Sequence, residues 1–306
     1  MRKFNVDDLV EQGLVSKKTY TEGKYKGLSI IKYKNKVFYD NLWHLDDRLL
    51  ECRGIVVDEE DNIVVHPFTK VFNLGENGVD LDPNRIYTFV PKINGFLGVA
   101  TWHKGEFIVS TTGSLDSDYT KLARRYLDPI KYSIDTGCSY MFEICDIEDP
   151  HIVDQVSGAY LIGIRDLCDG VMWPSDDILY EEQSLLEEYP GIIKPVSEGR
   201  KFSTFNDYKY SIKNSKTEGY MVLDFETDEV LCKIKTPHYL SKKAIMRLGK
   251  GKIDAMYKNP SEFKKHVDEE FYEIVDHIVN TVDIEIWKGY TDQQRRKFIE
   301  EYFYDN

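Results

Sequence analysis

The chain has 306 residues, 42% hydrophobic, 13% aromatic and 30% charged, so it can bury a substantial core, and neither a disordered chain nor a collagen-like repeat fits. Lysine and arginine number 40 against 53 acidic residues, a formal net charge of −13, which argues against a protein that coats nucleic acid non-specifically. No run approaches the roughly 18 to 20 apolar residues of a membrane helix, the start lacks a signal-peptide apolar region, and five scattered cysteines without a C-x-x-C pair indicate no disulfide framework or zinc knuckle, so a soluble chain in a reducing cytoplasm is expected.

The charge is segregated along the chain. Residues 1–36 carry nine basic side chains against four acidic ones. A second basic run comprises Lys233, Lys235, Lys242, Lys243, Arg247, Lys250 and Lys252, and the segment after Ser261 is acidic. A solvated face explains such runs unless specific chemistry singles out their members.

From about Leu28 to Lys235 the apolar runs are short, β-branched or aromatic, and punctuated by turn residues. Three hairpins are expected: Gly54–Val57 with Ile63–Val65, Phe96–His103 with Glu106–Thr111, and Gly219–Asp224 with Val230–Ile234. Helical stretches stand between them at Tyr119–Leu127, Ile178–Glu188 and Phe205–Lys213. After Pro237 the period becomes helical: Tyr239–Leu248, then Ser261 to about Val282, announced by Asn259-Pro260-Ser261, then a helix opened by the Thr291 and Gln294 capping box. The reading is α+β, an antiparallel-sheet domain over 1–248 followed by a small all-helical C-terminal domain over 249–306.

Chemistry is suggested at three places. In Val90-Pro91-Lys92-Ile93-Asn94-Gly95, a lysine ends one apolar run and a glycine opens the next strand, so Lys92 is expected at the lip of a sheet with room for a phosphate beside it. A lysine nucleophile needs free amine near neutral pH, supplied by burial or neighbouring cations. On Lys-x-x-Gly alone, an exposed turn lysine is the better explanation. The third hairpin adds the second and third places: its turn near Thr227 sets Glu218 opposite Thr236, beside Lys235, and Lys233 shares a face with Lys235. Two cations suit a phosphate, and a carboxylate nearby suits a hydrated Mg²⁺; a surface salt-bridge cluster is the competing explanation.

Lys92-x-Asn94-Gly95, Glu143 in Phe142-Glu143-Ile144, Glu218-Gly219-Tyr220 and Lys233-Ile234-Lys235 resemble motifs I, III, IV and V of covalent nucleotidyltransferases, in order and approximate spacing. Upstream, Glu51-Cys52-Arg53-Gly54 and Pro67-Phe68-Thr69-Lys70-Val71-Phe72-Asn73 resemble elements of the ATP-dependent RNA ligase 1 family of T-even-like bacteriophages; the resemblance spans roughly Glu51 to Leu248. It implies that Lys92 attacks the α-phosphate of ATP, that AMP passes to an RNA 5′-phosphate, and that a 3′-hydroxyl then displaces AMP. It further implies Glu143 at the ribose, Gly95 against the nucleotide, and Glu218 at the water shell of Mg²⁺, with Mn²⁺ as an alternative. Lys233 and Lys235 fall at the α-phosphate and departing phosphates, and Arg53 and Lys70 at the β- and γ-phosphates. The implied substrate is RNA with 5′-phosphate and 3′-hydroxyl ends, a nicked tRNA among the candidates, with no obligate protein partner and no membrane.

Two departures stand out. Thr112 occupies a position where the family carries a lysine before Gly113-Ser114, and no aromatic can be assigned to stack on adenine; Phe72 and Tyr220 read as packing residues. DNA ligases and mRNA capping enzymes follow motif V with a β-rich OB domain, which a helical segment here does not supply. The competing readings are a catalytically silent nucleotide- or RNA-binding relative and a ligase acting on DNA ends.

Overall fold

A computed structural model describes residues 2–149, 151, 153, 155–196, 199–240, 243, 248–267 and 271–305. The strands are β1 (Val15–Thr19), β2 (Ser29–Tyr33), β3 (Arg53–Val57), β4 (Ile63–Val65), β5 (Ile86–Lys92), β6 (Phe96–His103), β7 (Glu106–Ser110), β8 (Cys138–Cys145), β9 (Gly158–Asp166), β10 (Lys201–Thr204), β11 (Gly219–Asp224) and β12 (Val230–Lys235). They form three antiparallel sheets, ordered β1-β2-β3-β4, β7-β6-β8-β9 and β10-β5-β11-β12. The chain divides into two compact units, 1–71 with 94–199 and 72–93 with 200–306. The expected division after residue 248 falls inside the second unit.

The first unit holds two of the sheets. Strand β8 is buried on both faces, and its alternation shows how. Tyr140, Phe142 and Ile144 pack with Ala123 and Leu127 of the helix Asp118–Leu127 and with Leu185 of the helix Ser175–Glu188. Met141, on the opposite face, packs with Val99 and Ile108 against Val56, Val64 and Val65 of the first sheet. Glu143 is the one charged residue of this strand and remains half-buried.

In the second unit, Phe89, Tyr220, Val222 and Cys232 form the apolar face of the sheet under the helix Phe205–Asn214. Tyr208 from that helix packs on Phe89 and Tyr220, with ring centroids 4.5 and 5.4 Å away. Tyr220 is 7% exposed and its hydroxyl lies 3.1 Å from Ser215 Oγ, so it is a packing residue as expected. The β11–β12 register pairs Gly219 with Lys235, and Thr236 N–H donates to Glu218 O at 3.0 Å, the offset read from the turn.

The helical segment contains Lys250–Lys258, Pro260–Lys264, Tyr272–Thr281, Ile284–Gly289 and Asp292–Asp305. The single helix expected over Ser261–Val282 is interrupted. Lys264 Nζ pairs with Asp276 at 2.5 Å, whereas twelve residues of continuous helix would separate them by about 18 Å, so the chain folds back between them. The Thr291 cap forms, Thr291 N–H donating to Gln294 Oε1 at 2.9 Å and Gln294 N–H to Thr291 Oγ1 at 3.3 Å. Most of the helix expected over Tyr239–Leu248 lies outside the described residues; 237–240 is helical.

Candidate active site

Three adjacent strands of the second unit bring Lys92, Glu218 and Lys235 together. Strand β11 runs between β5 and β12, and Gly219 pairs with Lys92 on one side and Lys235 on the other. Directly paired residues of an antiparallel sheet face the same way, so the two lysines flank a position that has no side chain. A Cβ on Gly219 would overlap the Ile234 carbonyl oxygen, so the close approach requires glycine.

The carboxylate that precedes this glycine takes up both charges. Lys92 Nζ donates to Glu218 Oε2 at 3.1 Å, and Lys235 Nζ donates to Glu218 Oε1. Glu218 is 3% exposed, while Lys92 retains 22% of its side-chain exposure, so the carboxylate is enclosed and the amine is accessible. Burial pushes the Glu218 carboxyl up, but the charges of Lys92 and Lys235 outweigh it and hold the group below the ordinary carboxylate range. Lys92 Nζ also donates to Ile93 O at 3.3 Å, and Lys235 Nζ lies 4.6 Å from the centroid of the Tyr239 ring.

Lys233 lies two residues before Lys235, hence on the same face of β12. Its N–H donates to Phe72 O at 2.9 Å and its carbonyl accepts from Leu74 N–H at 3.0 Å, so the segment around Asn73 runs parallel beside β12. Phe72 is 9% exposed, a packing residue as expected. Lys243, counted in the sequence with an exposed basic run, is instead 4% exposed, its ammonium 5.5 and 5.0 Å from the rings of Tyr239 and Phe271. A Lys stem packs well against aromatic faces while the cation meets their π-electrons, which is why a nominally surface residue is buried here. Lys242 and Arg247 of that run lie outside the described residues.

The first unit brings Gly95 and Glu143 together: Gly95 N–H donates to Glu143 Oε1 at 3.1 Å. A Cβ on Gly95 would overlap the Ile144 carbonyl oxygen. Arg53 opens β3 opposite Lys32. Gly54 follows at φ +100°, and a Cβ there would stand 2.8 Å from Thr112 Cα, so the Thr112 backbone packs directly on this motif. Lys70 Nζ lies 5.4 and 5.1 Å from the rings of Phe38 and Trp43, and Lys70 N–H donates to Leu50 O at 2.8 Å.

A partly buried network in this unit goes unannounced in the sequence. Glu51, His66, Thr69 and Arg165 meet through side-chain hydrogen bonds of 2.8 to 3.2 Å. Nothing in their spacing signals it.

A family model described as RNA ligase matches residues 51–239. No curated protein matches the chain significantly. Among solved structures, the chain is similar to an archaeal ATP-dependent RNA ligase, at 14% identity over 96% of this chain and 75% of that one, with a TM-score of 0.57. It is likewise similar to an ATP-dependent DNA ligase candidate from Aquifex aeolicus, at 13% identity over 96% of this chain and 74% of that one, also with a TM-score of 0.57. At these identities the likeness shows a shared fold.

Proposed function

The chain belongs to the RNA ligase family, whose substrate is RNA, and from that premise we propose that it seals RNA 5′-phosphate and 3′-hydroxyl ends at the expense of ATP. The observation that carries the reading is the convergence of Lys92 and Lys235 on Glu218 at the ends of three neighbouring strands. An amine, a second cation and a shared anion in one place suit nucleotidyl transfer, which depends mainly on positioning and on stabilising charge spread over phosphate oxygens.

In the first step Lys92 Nζ, as free amine, attacks the α-phosphorus; an N–P bond forms and the bond to the outgoing diphosphate breaks. Lys235 and Lys233 offset the charge developing on the α-phosphate and on the departing group. Glu143 and Gly95 are assigned to the ribose side of the nucleotide, Arg53 and Lys70 to the β- and γ-phosphates. An RNA 5′-phosphate oxygen then displaces Lys92, and a 3′-hydroxyl oxygen displaces AMP.

Among the described residues, no three His, Cys, Asp or Glu side chains group as a metal ligand set. Mg²⁺ fits such a site, because it keeps several waters and takes one or two carboxylates plus substrate phosphates. Glu218 is the carboxylate we assign to its water shell, where the ion offsets phosphate charge; Mn²⁺ has the same donor preference.

We assign nucleotide chemistry to residues 1–248 and treat 249–306 as a helical C-terminal domain. Supporting this division, every residue named for ATP precedes 248, and the elements of 250–305 are helices. No described helix is long and apolar enough to cross a membrane. A nicked tRNA is the substrate we would test first, since it presents both ends in one molecule.

The test is incubation with ATP labelled at the α-phosphate, with Mg²⁺ or Mn²⁺, followed by denaturing electrophoresis. Label retained on the chain is expected, and its transfer to 5′-phosphorylated RNA should follow. Absence of a covalent label with both metals would leave a binding protein rather than a ligase.

A further inference from the structure

The chemistry above leaves the partly buried polar network of the first unit, in which His66 and Arg165 are the buried members, without a task. Glu51 ends the helix Arg48–Glu51, two residues before Arg53. Its Oε1 accepts the Thr69 hydroxyl at 2.8 Å, and its Oε2 accepts His66 Nε2–H at 3.0 Å and an Arg165 Nη1–H at 3.2 Å. Arg165 Nη2 donates to Thr69 Oγ1 at 3.0 Å, which closes a ring of three side chains. Behind His66, Arg2 Nη1 stands 3.4 Å from Nδ1, and His66 N–H donates to Ser139 Oγ at 3.0 Å. The two ring contacts together require a neutral imidazole with its proton on Nε2.

One carboxylate therefore ties together three parts of the chain distant in sequence: the helix that leads into β3, the loop that follows β4, and β9. The loop is fastened a second time by the hydrogen bond from Lys70 N–H to Leu50 O. Of the residues assigned to the nucleotide, those closest along the chain to these ties are Arg53, two positions after Glu51, and Lys70, one position after Thr69. If the network served only to hold the fold, well-packed apolar side chains would serve as well or better, because a buried guanidinium such as that of Arg165 is costly to desolvate. What hydrogen-bonded ions supply and apolar contacts do not is a fixed direction.

The geometry points to Glu51, with His66, Thr69 and Arg165, as positioning residues for Arg53 and Lys70. They hold the β3 entry and the 66–70 loop in the relation that the departing diphosphate requires. The inference rests on the roles given above to Arg53 and Lys70. It also carries a selectivity the ligase reading lacks: the network should matter when a triphosphate is consumed and not when an already adenylylated end is sealed.

The experiment separates these half-reactions in the full chain. Glu51→Gln keeps the shape and removes the charge; Thr69→Val removes one hydroxyl and is the milder variant should the first fold poorly. Each is assayed for formation of the covalent adenylate from labelled ATP, and for sealing of RNA supplied with a preformed 5′-adenylate. Adenylylation should fall on the order of 10- to 100-fold, as expected when reacting groups are misplaced by a fraction of an ångström to an ångström. Sealing of the preadenylylated RNA should remain at the parent's rate, and Thr69→Ser, which restores the hydroxyl, should restore adenylylation. A proportional loss in both half-reactions overturns the inference, since a general scaffold would act that way; so does no loss in either. A parent protein that forms no adenylate sinks the ligase reading and this inference with it. A parent that forms one, while the variants lose both steps together, sinks this inference alone.

Discussion

Two carboxylates, one in each unit, the enclosed Glu218 and the partly exposed Glu51, are held below the usual range by different means. Burial pushes both up. At Glu218 the opposing force is the charge of two lysine ammonium groups, whereas at Glu51, brought down to about 2, it is a hydrogen bond from His66 first, then the charge of Arg165 and the Thr69 hydroxyl. An ammonium on a four-carbon stem can exchange one anion for another, so the Glu218 cluster can release Lys92 and Lys235 to a phosphate. A carboxylate fixed by an imidazole, a hydroxyl and a planar guanidinium has no such freedom. On the proposed reading, the difference separates a site that reacts from a site that holds.

The sharpest way to break this contrast is at the amine. Lys92→Ala should abolish formation of the covalent adenylate while unfolding remains cooperative, because the side chain ends a strand and is partly exposed rather than part of the core. Lys92→Arg should fail equally, since a guanidinium stays protonated and cannot attack. Labelling retained in either variant would move the nucleophile elsewhere.

A smaller loss is expected from Glu218→Gln, which keeps the shape and leaves two ammonium groups facing each other around a neutral amide. Removing one partner of a buried ionic cluster costs roughly 3–5 kcal/mol in other proteins. Adenylylation should fall, and more Mg²⁺ should be needed for half-maximal rate, while ATP binding without metal changes far less. An unchanged Mg²⁺ titration would remove Glu218 from the metal's water shell. Gly219→Ala tests the same cluster through the backbone: the new methyl meets the Ile234 carbonyl, so β11 and β12 must part, at a cost of about 1–3 kcal/mol for overpacking. If its adenylylation matches the parent's, the alignment of Lys92 with Lys235 is not what the step requires.

The legibility of the two clusters in the sequence differs as much as their chemistry. Lys92, Glu218 and Lys235 were readable because a hairpin's register follows from its turn, and strand side chains alternate; both rules act over a few residues. The bulge between Val222 and Leu223 lies beyond Gly219 and leaves that alignment untouched. The Glu51 network depends on β9 delivering Arg165 to a loop about a hundred positions earlier, and no local rule reports such a meeting. Lys243 shows the same limit: charge placed it on a surface, and two aromatic rings from different helical segments bury it. The break after Lys264 was hidden because Phe263, Val267 and Phe271 keep helical spacing across it.

The smallest expected effect distinguishes the clusters by acid sensitivity. Burial lowers the pKa of His66 from its ordinary 6.5, so the folded chain resists the proton that an unfolded chain accepts. The unfolded state then binds more protons below pH 6.5, and stability falls as the pH drops through that region. Glu51 acts lower: its stabilisation is complete above its ordinary 4.5 and is lost as the pH falls towards its folded value of about 2. Glu218, also lowered, loses its contribution below its ordinary 4.5, so only the loss that begins near pH 6.5 is particular to histidine. His103 is held down by burial as well, and His66→Gln should therefore remove part of that first loss, not all of it. Glu218→Gln, by contrast, should leave it intact while flattening the lower range. Thermal midpoints measured from pH 7.5 to 3 would decide. If His66→Gln follows the parent's curve between pH 6.5 and 5, the imidazole is not resisting protonation. The neutral imidazole assigned to the Glu51 network would then be wrong.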